Sequence, residues 1–389
     1  MCSKAYLALV LAITLPLSAY APESSKCAAG PVFEQASTLL SKKQFNQAYK
    51  TLGTLDSCRD LTPLEKFQLG WLYGRTRHFD AALKLFQAVP PDTPDPVTHQ
   101  YAVALSEFEL GRYEQVVDVL TKLQSEKALD GKCANLLGVS YSKLNQYPKA
   151  NAIFERVIRE YPDDPAGYFN RITLYADTGN LDQAAALASK ATERFPDSFQ
   201  AFIVLGAANT MIGRLDVAHT AFTTAIRLAP HHPDPRFFQA LTSYKQDKLD
   251  AAVAELDSAE KAGIQDSDLH YLKAECLVRR DPTKTAAILA EVNTAIDLNS
   301  NSVSARVLRG KIELSKHERE KALGDLELAH KVDPQSRSAA YNLARTYQAL
   351  GRKQEARALF QQVTAEAANP LQELSDHRLS ATLKGDSAQ

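Results

Sequence analysis

The sequence predicts an all-α fold, a right-handed superhelical solenoid of stacked antiparallel helix hairpins. Three observations point to it. A register of 34 residues recurs through most of the chain. Two positions of that register hold small side chains. Helix-forming residues outweigh the 16 glycines among 389 residues, which favours helix over sheet.

The register is clearest at Leu205–Pro230, where Gly206, Gly213, Ala218, Phe222, Ala225 and Pro230 mark one hairpin. Its eighth position recurs as Ala36, Gly70, Ala104, Gly138, Ile172, Gly206, Ala240, Cys276, Gly310 and Ala344. Its twentieth is Ala48, Ala82, Val116, Ala150, Ala184, Ala218, Ala252, Ile288, Ala322 and Ala356. Small residues there let the first helix (A) and the second (B) approach closely where they cross. Phe86, Phe154, Phe222 and Phe360 fill wider gaps. Gly111, Gly179, Gly213, Gly351 and Asn145 suit the left-handed turn after helix A. Pro94, Pro162, Pro196, Pro230 and Pro334 are expected to end B helices.

These residues resemble the tetratricopeptide repeat (TPR) pattern, W-x2-L-G-x2-Y…A-x3-F…P. Ten repeats fit: 29–62, 63–96, 97–130, 131–164, 165–198, 199–232, 233–266, 269–302, 303–336 and 337–370. The resemblance implies the fold and a protein or peptide partner, and leaves the partner's identity open.

Before the repeats, residues 1–21 carry Lys4, an apolar run and Ser18-Ala19-Tyr20-Ala21, the pattern of a secretory signal. Export is the expectation, to the periplasm or outside the cell. Because Pro22 suits signal peptidases poorly, an uncleaved membrane anchor is the alternative. Residues 22–28 read as a linker, and no later stretch has the length of a membrane span. The period gains two residues near Gly263-Ile264-Gln265-Asp266, suggesting a bend between repeats one to seven (29–266) and eight to ten (267–370) or a local irregularity. Residues 371–383 repeat Leu371, Leu374, Leu379 and Leu383 on one stripe, with Arg378 among the polar residues between them. That is expected of a helix capping the array with its polar side outward. Residues 384–389 read as a disordered tail.

A net charge of −1 gives no basis for nucleic-acid binding. No nucleophile elbow, phosphate loop, dinucleotide fingerprint or zinc-protease motif is present, so the chain reads as non-catalytic, without cofactor or metal. His231-His232 reads as a solvated loop. Cys27 and Cys58 flank the first hairpin at ends that antiparallel helices bring together. In an oxidising compartment they would form a disulfide, and otherwise they are free thiols.

In the TPR frame, the A helices line a concave groove. Its inward positions place Phe67, Trp71 and Arg75; Tyr101, Leu105 and Phe108; Phe169 and Asn170; Phe237, Phe238, Leu241 and Tyr244; Lys273 and Arg280; and Tyr341, Asn342 and Arg345. Aromatic and arginine side chains typically dominate binding, so this set is either a partner-binding surface or packing between helices. Asn135/Val139, Phe169/Thr173 and Ile203/Ala207 depart from the carboxylate clamp of some TPR proteins. The expected function is a protein-binding scaffold or adaptor outside the cytoplasm. The alternative is an assembly subunit of a secretion, pilus or polysaccharide-export machine. Oligomeric state is not legible.

Overall fold

The computed structural model describes residues 27–42, 44–125, 129–361, 363 and 369–384, and among these there is no β-strand. The expected signal (1–21), most of the linker and residues 385–389 lie outside them. Helices come in pairs: α1 (Ala29–Ser41) and α2 (Phe45–Leu52), α3 (Pro63–Arg75) and α4 (Phe79–Gln87), α5 (Pro96–Glu109) and α6 (Tyr113–Ser125), α7 (Gly131–Lys143) and α8 (Tyr147–Glu160). Then follow α9 (Pro165–Asp177) and α10 (Leu181–Arg194), α11 (Phe199–Met211) and α12 (Leu215–Leu228), α13 (Pro233–Lys245) and α14 (Leu249–Lys261). The series ends with α15 (Ser267–Arg280) and α16 (Thr285–Leu298), α17 (Val303–Ser315) and α18 (Arg319–Val332), α19 (Arg337–Ala349) and α20 (Lys353–Phe360), and a single helix α21 (Pro370–Lys384). Two compact units divide inside α9, one running through Leu174 and the other starting at Tyr175.

Local chemistry sets the helix ends. Asp95, Asp130, Ser198, Asp266, Ser302 and Ser336 each accept a first-turn backbone N–H of an A helix, and Thr62 forms a capping box with Glu65. After helix A the chain turns through a left-handed residue, and the next N–H donates to the carbonyl five residues back. Arg112 to Glu107, Arg214 to Asn209 and Arg352 to Tyr347 are examples of this Schellman bond. Arg77, Asp247 and His317 occupy the left-handed position as well as the expected Gly and Asn. Pro162, Pro196, Pro230 and Pro334 each lie two residues beyond a B helix. Pro94 does not behave as expected: α4 stops at Gln87, and Pro94 instead follows a cis peptide bond shortly before α5.

Within a pair the eighth residue of the register meets the side chain sixteen positions later. A Cβ added to Gly70, Gly138 or Gly206 would lie 2.6, 2.5 or 2.5 Å from the ring of Phe86, Phe154 or Phe222. Where the later residue is leucine, the earlier is usually alanine: Ala36 with Leu52, Ala104 with Leu120, and Ala240 with Leu256, all buried. The two side chains share one fixed volume, as close-packed interiors require. Gly310 with Leu326 departs from this rule, and Ala344 with the half-buried Phe360 departs at the last pair.

The two extra residues sit later than the sequence suggested. α15 starts at Ser267, 34 residues after α13 starts at Pro233, so the register is intact through 263–266. There Gly263 takes the left-handed turn and Ile264 is buried in a core that continues from α13 and α14 into α15 and α16. The additional length falls in α15 itself, which has 14 residues against 13 in α13, and in the longer turn before α16. Inward positions on α15 therefore shift by two, from Lys273 to Tyr271.

Gly206→Ala gains helix propensity of up to about 1 kcal/mol but drives a methyl into the Phe222 ring, a cost of about 1–3 kcal/mol. We expect Gly206→Ala and Phe222→Leu to be non-additive in urea unfolding. The double variant should be about 1 kcal/mol more stable than the summed single effects. Additive losses would contradict the shared-volume account.

Candidate functional site

Helix α21 does not cap the array polar side out. It lies on A helices α13 and α17 and hydrogen-bonds to the starts of α15 and α19. Its buried stripe is Leu371, Ser375, Arg378 and Thr382, while Leu374 and Leu379 flank it half-buried. The arginine expected to face solvent is thus among the most enclosed residues of the helix, at 6% exposure.

The groups that receive α21 recur in the register. Asp234, Asp268 and Ser338 are each the second residue of an A helix, and Asp266 and Ser336 are N-caps. Arg378 Nε donates to Asp234 Oδ1 at 2.7 Å. Its Nη1 donates to Asp266 Oδ1 at 2.9 Å and to Asp268 Oδ2 at 2.8 Å, and its Nη2 to Asp266 Oδ2 at 3.0 Å. The guanidinium also lies 4.8 Å from the centre of the Phe237 ring. The Thr382 hydroxyl donates to Asp234 Oδ2. At the other end, the Ser336 and Ser338 hydroxyls donate to Glu373 Oε2 at 2.9 and 3.0 Å. α21 therefore runs against the order of the repeats, from α19 back to α13.

Three carboxylates around one guanidinium leave a local excess of negative charge. Burial, together with repulsion from Asp266 and Asp234, outweighs Arg378 and pushes the Asp268 carboxyl up to about 6. For Asp266, burial is overcome by Arg378 and by backbone N–H donors, and its pKa falls. Burial opposes the charge on Arg378 as well, but the three aspartates raise its pKa overall. The planar fork satisfies all three acids at once, a geometry unavailable to lysine.

Most of the expected groove residues are interior packing. Phe67 is fully buried against Phe86, at 5.1 Å between centroids, and Trp71 is half-buried against Phe86 and Tyr101. Tyr101, Leu105, Phe108, Phe169, Phe237, Phe238 and Leu241 are buried. The repeat's close helix spacing brings these large side chains into the seam where an A helix meets B-helix phenylalanines and the neighbouring A helix. Asn170 is buried and donates to Asn135 Oδ1 at 3.2 Å, and Asn342 donates to the Ser338 carbonyl of its own helix. Tyr244 is half-buried beneath Arg279, and Tyr341 is half-buried against Phe360. Arg75, Arg280 and Arg345 are exposed, with Arg280 paired to Asp250 at 2.8 Å.

Lys273 does not face inward. It is the seventh residue of α15, a position that faces the B helices, and its Nζ meets Asp257, Glu260 and Glu291 at 2.9, 3.0 and 2.8 Å. Burial favours the neutral amine, yet the hydrogen bonds it donates to these acids raise its pKa. Glu260, His270 and Glu291 bring three donor atoms within 4.8 Å of one another. The Lys273 ammonium already bridges the two glutamates, so the arrangement is an ion-pair cluster. His232 also departs from expectation: it is half-buried, accepts the Asp234 N–H at 3.3 Å as the N-cap of α13, and packs on Phe199.

In the first hairpin Cys27 and Cys58 form a disulfide, closing the start of α1 onto the segment after α2. Cys133 and Cys276 are buried free thiols, and burial first of all pushes Cys276 up to about 12.

The architecture is that of a helix-hairpin repeat protein, a class whose surfaces hold other proteins. Family models for the tetratricopeptide repeat match residues 135–199, 211–267 and 313–375. Over those residues the chain carries tetratricopeptide repeats. It is 25% identical over 240 residues to DnaJ homolog subfamily C member 3 of Gallus gallus, covering 56% of this chain and 47% of that one. The chain thus spans about half that relative's length. The yeast Tom70 structure is similar at 16% identity and a TM-score of 0.47, covering 92% of this chain and 96% of that chain. A tetratricopeptide repeat protein from Parabacteroides merdae is similar at 17% identity and a TM-score of 0.49, covering 64% of this chain and 98% of that one.

The sequence reading missed Asp234, Asp266, Asp268 and Arg378. The aspartates look like ordinary first-turn acids and caps. Only the spacing of Leu371, Ser375, Arg378 and Thr382 hints at one buried face.

Two outcomes follow. Unfolded Asp268 has already lost its proton where the folded group, near 6, still holds one. Its contribution to stability therefore falls as pH rises from about 4 through 6. Relative to Asp268→Asn, the unsubstituted chain should gain stability between pH 7 and pH 5 in urea titrations; a pH-independent difference refutes the assignment. For the disulfide, a chain lacking residues 1–21 and denatured without reductant should titrate two thiols, Cys133 and Cys276, and four after reduction. Reduction should cost about 3–4 kcal/mol for a loop of this size. Four thiols before reduction would exclude the bond.

Proposed function

We propose that this protein is a non-catalytic scaffold outside the cytoplasm that holds a segment of a partner protein on the inner face of its A helices. The tetratricopeptide fold supports a protein-interaction role. The observation that carries the A-face reading is the row of side chains met by α21. Asp234, Asp268 and Ser338 recur at the second position of A helices and their hydrogen-bond partners lie on a separate helix, outside the hairpins' own packing. A helix laid across successive repeats is a known mode of recognition in which anchors recur along one face. The Cys27–Cys58 bond supports an oxidising compartment, in keeping with the signal-like residues 1–21. Nothing in the proposed role requires a reacting group, a metal or a cofactor.

Site-specific photocrosslinking in the native host tests the reading. Lys311 and Arg345 are exposed on A helices, and Lys190 and Ala254 are exposed on B helices. A photoreactive residue at Lys311 or Arg345 should give one discrete partner adduct, and the same residue at Lys190 or Ala254 should not. Adducts confined to Lys190 and Ala254 would move the interaction to the outer face and favour an assembly role.

A further inference from the structure

We propose that Asp234, Asp266 and Asp268, continued by Ser336 and Ser338, form a recognition site for an arginine-bearing amphipathic helix of a partner, and that α21 is its built-in competitor. The proposal rests on the A-face reading above and names the ligand class for that face.

Three features support it. First, the cradle needs a cation. Asp234 has 1% side-chain exposure, and its side chain meets Arg378, Thr382 and, at 3.7 Å, His232. Three adjoining acids without a guanidinium would repel one another in a poorly solvated place, so a departing α21 leaves a site selective for another arginine. Second, the hold on α21 is largely polar. Four of the five buried side chains described in α21, Ser375, Arg378, Ser380 and Thr382, are polar; Leu371 is the fifth, and Leu374 and Leu379 pack half-buried on the core. Buried ion pairs return much of their attraction as desolvation cost, so such a helix is exchangeable in a way that an apolar cap is not. Third, the contacts define a readable pattern. Arg378 reaches three acids, Thr382 lies one turn later, Glu373 meets two serines, and Leu371 and Leu374 pack on the core. A competing helix would carry Leu-x-Glu-Leu-x3-Arg-x3-Thr, as α21 does from Leu371 to Thr382.

A fluorescein-labelled synthetic peptide with the sequence of residues 369–384, followed by anisotropy, provides the probe. The full chain with Arg378→Lys keeps a positive charge among the acids but loses the fork, so its α21 should release more readily. The peptide should bind that chain at least tenfold more tightly than the unsubstituted chain. Replacing the peptide's arginine by alanine, or adding Asp234→Asn to the Arg378→Lys chain, should weaken binding at least tenfold. Equal binding to both chains, or binding indifferent to the arginine, overturns the proposal. If circular dichroism shows the Arg378→Lys chain unfolded, the unsubstituted chain decides by hydrogen exchange. Excess peptide should speed exchange of the amides in 370–384, and unchanged exchange would mark α21 as a permanent part of the fold. Photocrosslinks from Lys311 and Arg345 report on the A-face reading separately, so an inert peptide beside intact crosslinks sinks only this proposal.

Discussion

Close approach of the two helices in each hairpin is the constraint on which the other features depend. The approach is possible because one side chain of each crossing pair yields volume to the other. Gly138 accommodates Phe154 and Gly206 accommodates Phe222, whereas Ala240 stands opposite the smaller Leu256. With the spacing fixed in this way, most A helices start 34 residues after the last, and α5, α7 and α17 depart from that by one or two residues. Recurring starts place N-caps and second residues in a row. In the C-terminal unit that row carries Asp234, Asp266, Asp268, Ser336 and Ser338.

Helix α21 meets this row with chemistry opposite to that of a conventional cap. A cap buries apolar surface and turns its charges to water. Here the arginine goes inward and lies over Phe237 among three aspartates. The arrangement is tolerable because each N–H of the fork used here has a carboxylate oxygen to meet, and the excess negative charge is relieved by the raised pKa of Asp268.

The hairpins were legible in the sequence because they depend on near neighbours. Small residues at two fixed positions, turn-forming glycines and capping residues act over one or two helical turns. The same reading failed where a small local change altered direction. Because the extra residues come after Lys273 and not before it, Lys273 is the seventh residue of its A helix and faces the ion-pair cluster with Glu260 and Glu291 instead of the inner side. Composition misled as well: Phe67, Phe169 and Phe237 look like binding anchors in a list of inward positions, but neighbouring helices bury them. Half-buried Trp71 occupies the same seam.

By itself, the sequence determined the all-helical class, the ten hairpins and the pairing-competent cysteines, since each is encoded within about one repeat. Only the tertiary structure decided where α21 goes. Arg378 and Asp234 are 144 residues apart, and no periodicity links them. Their meeting depends on four successive A helices lining up their first turns and on the final helix turning back across them. An arginine on a polar helix and an aspartate in a first turn are each ordinary alone. Their buried pairing makes this surface a candidate site.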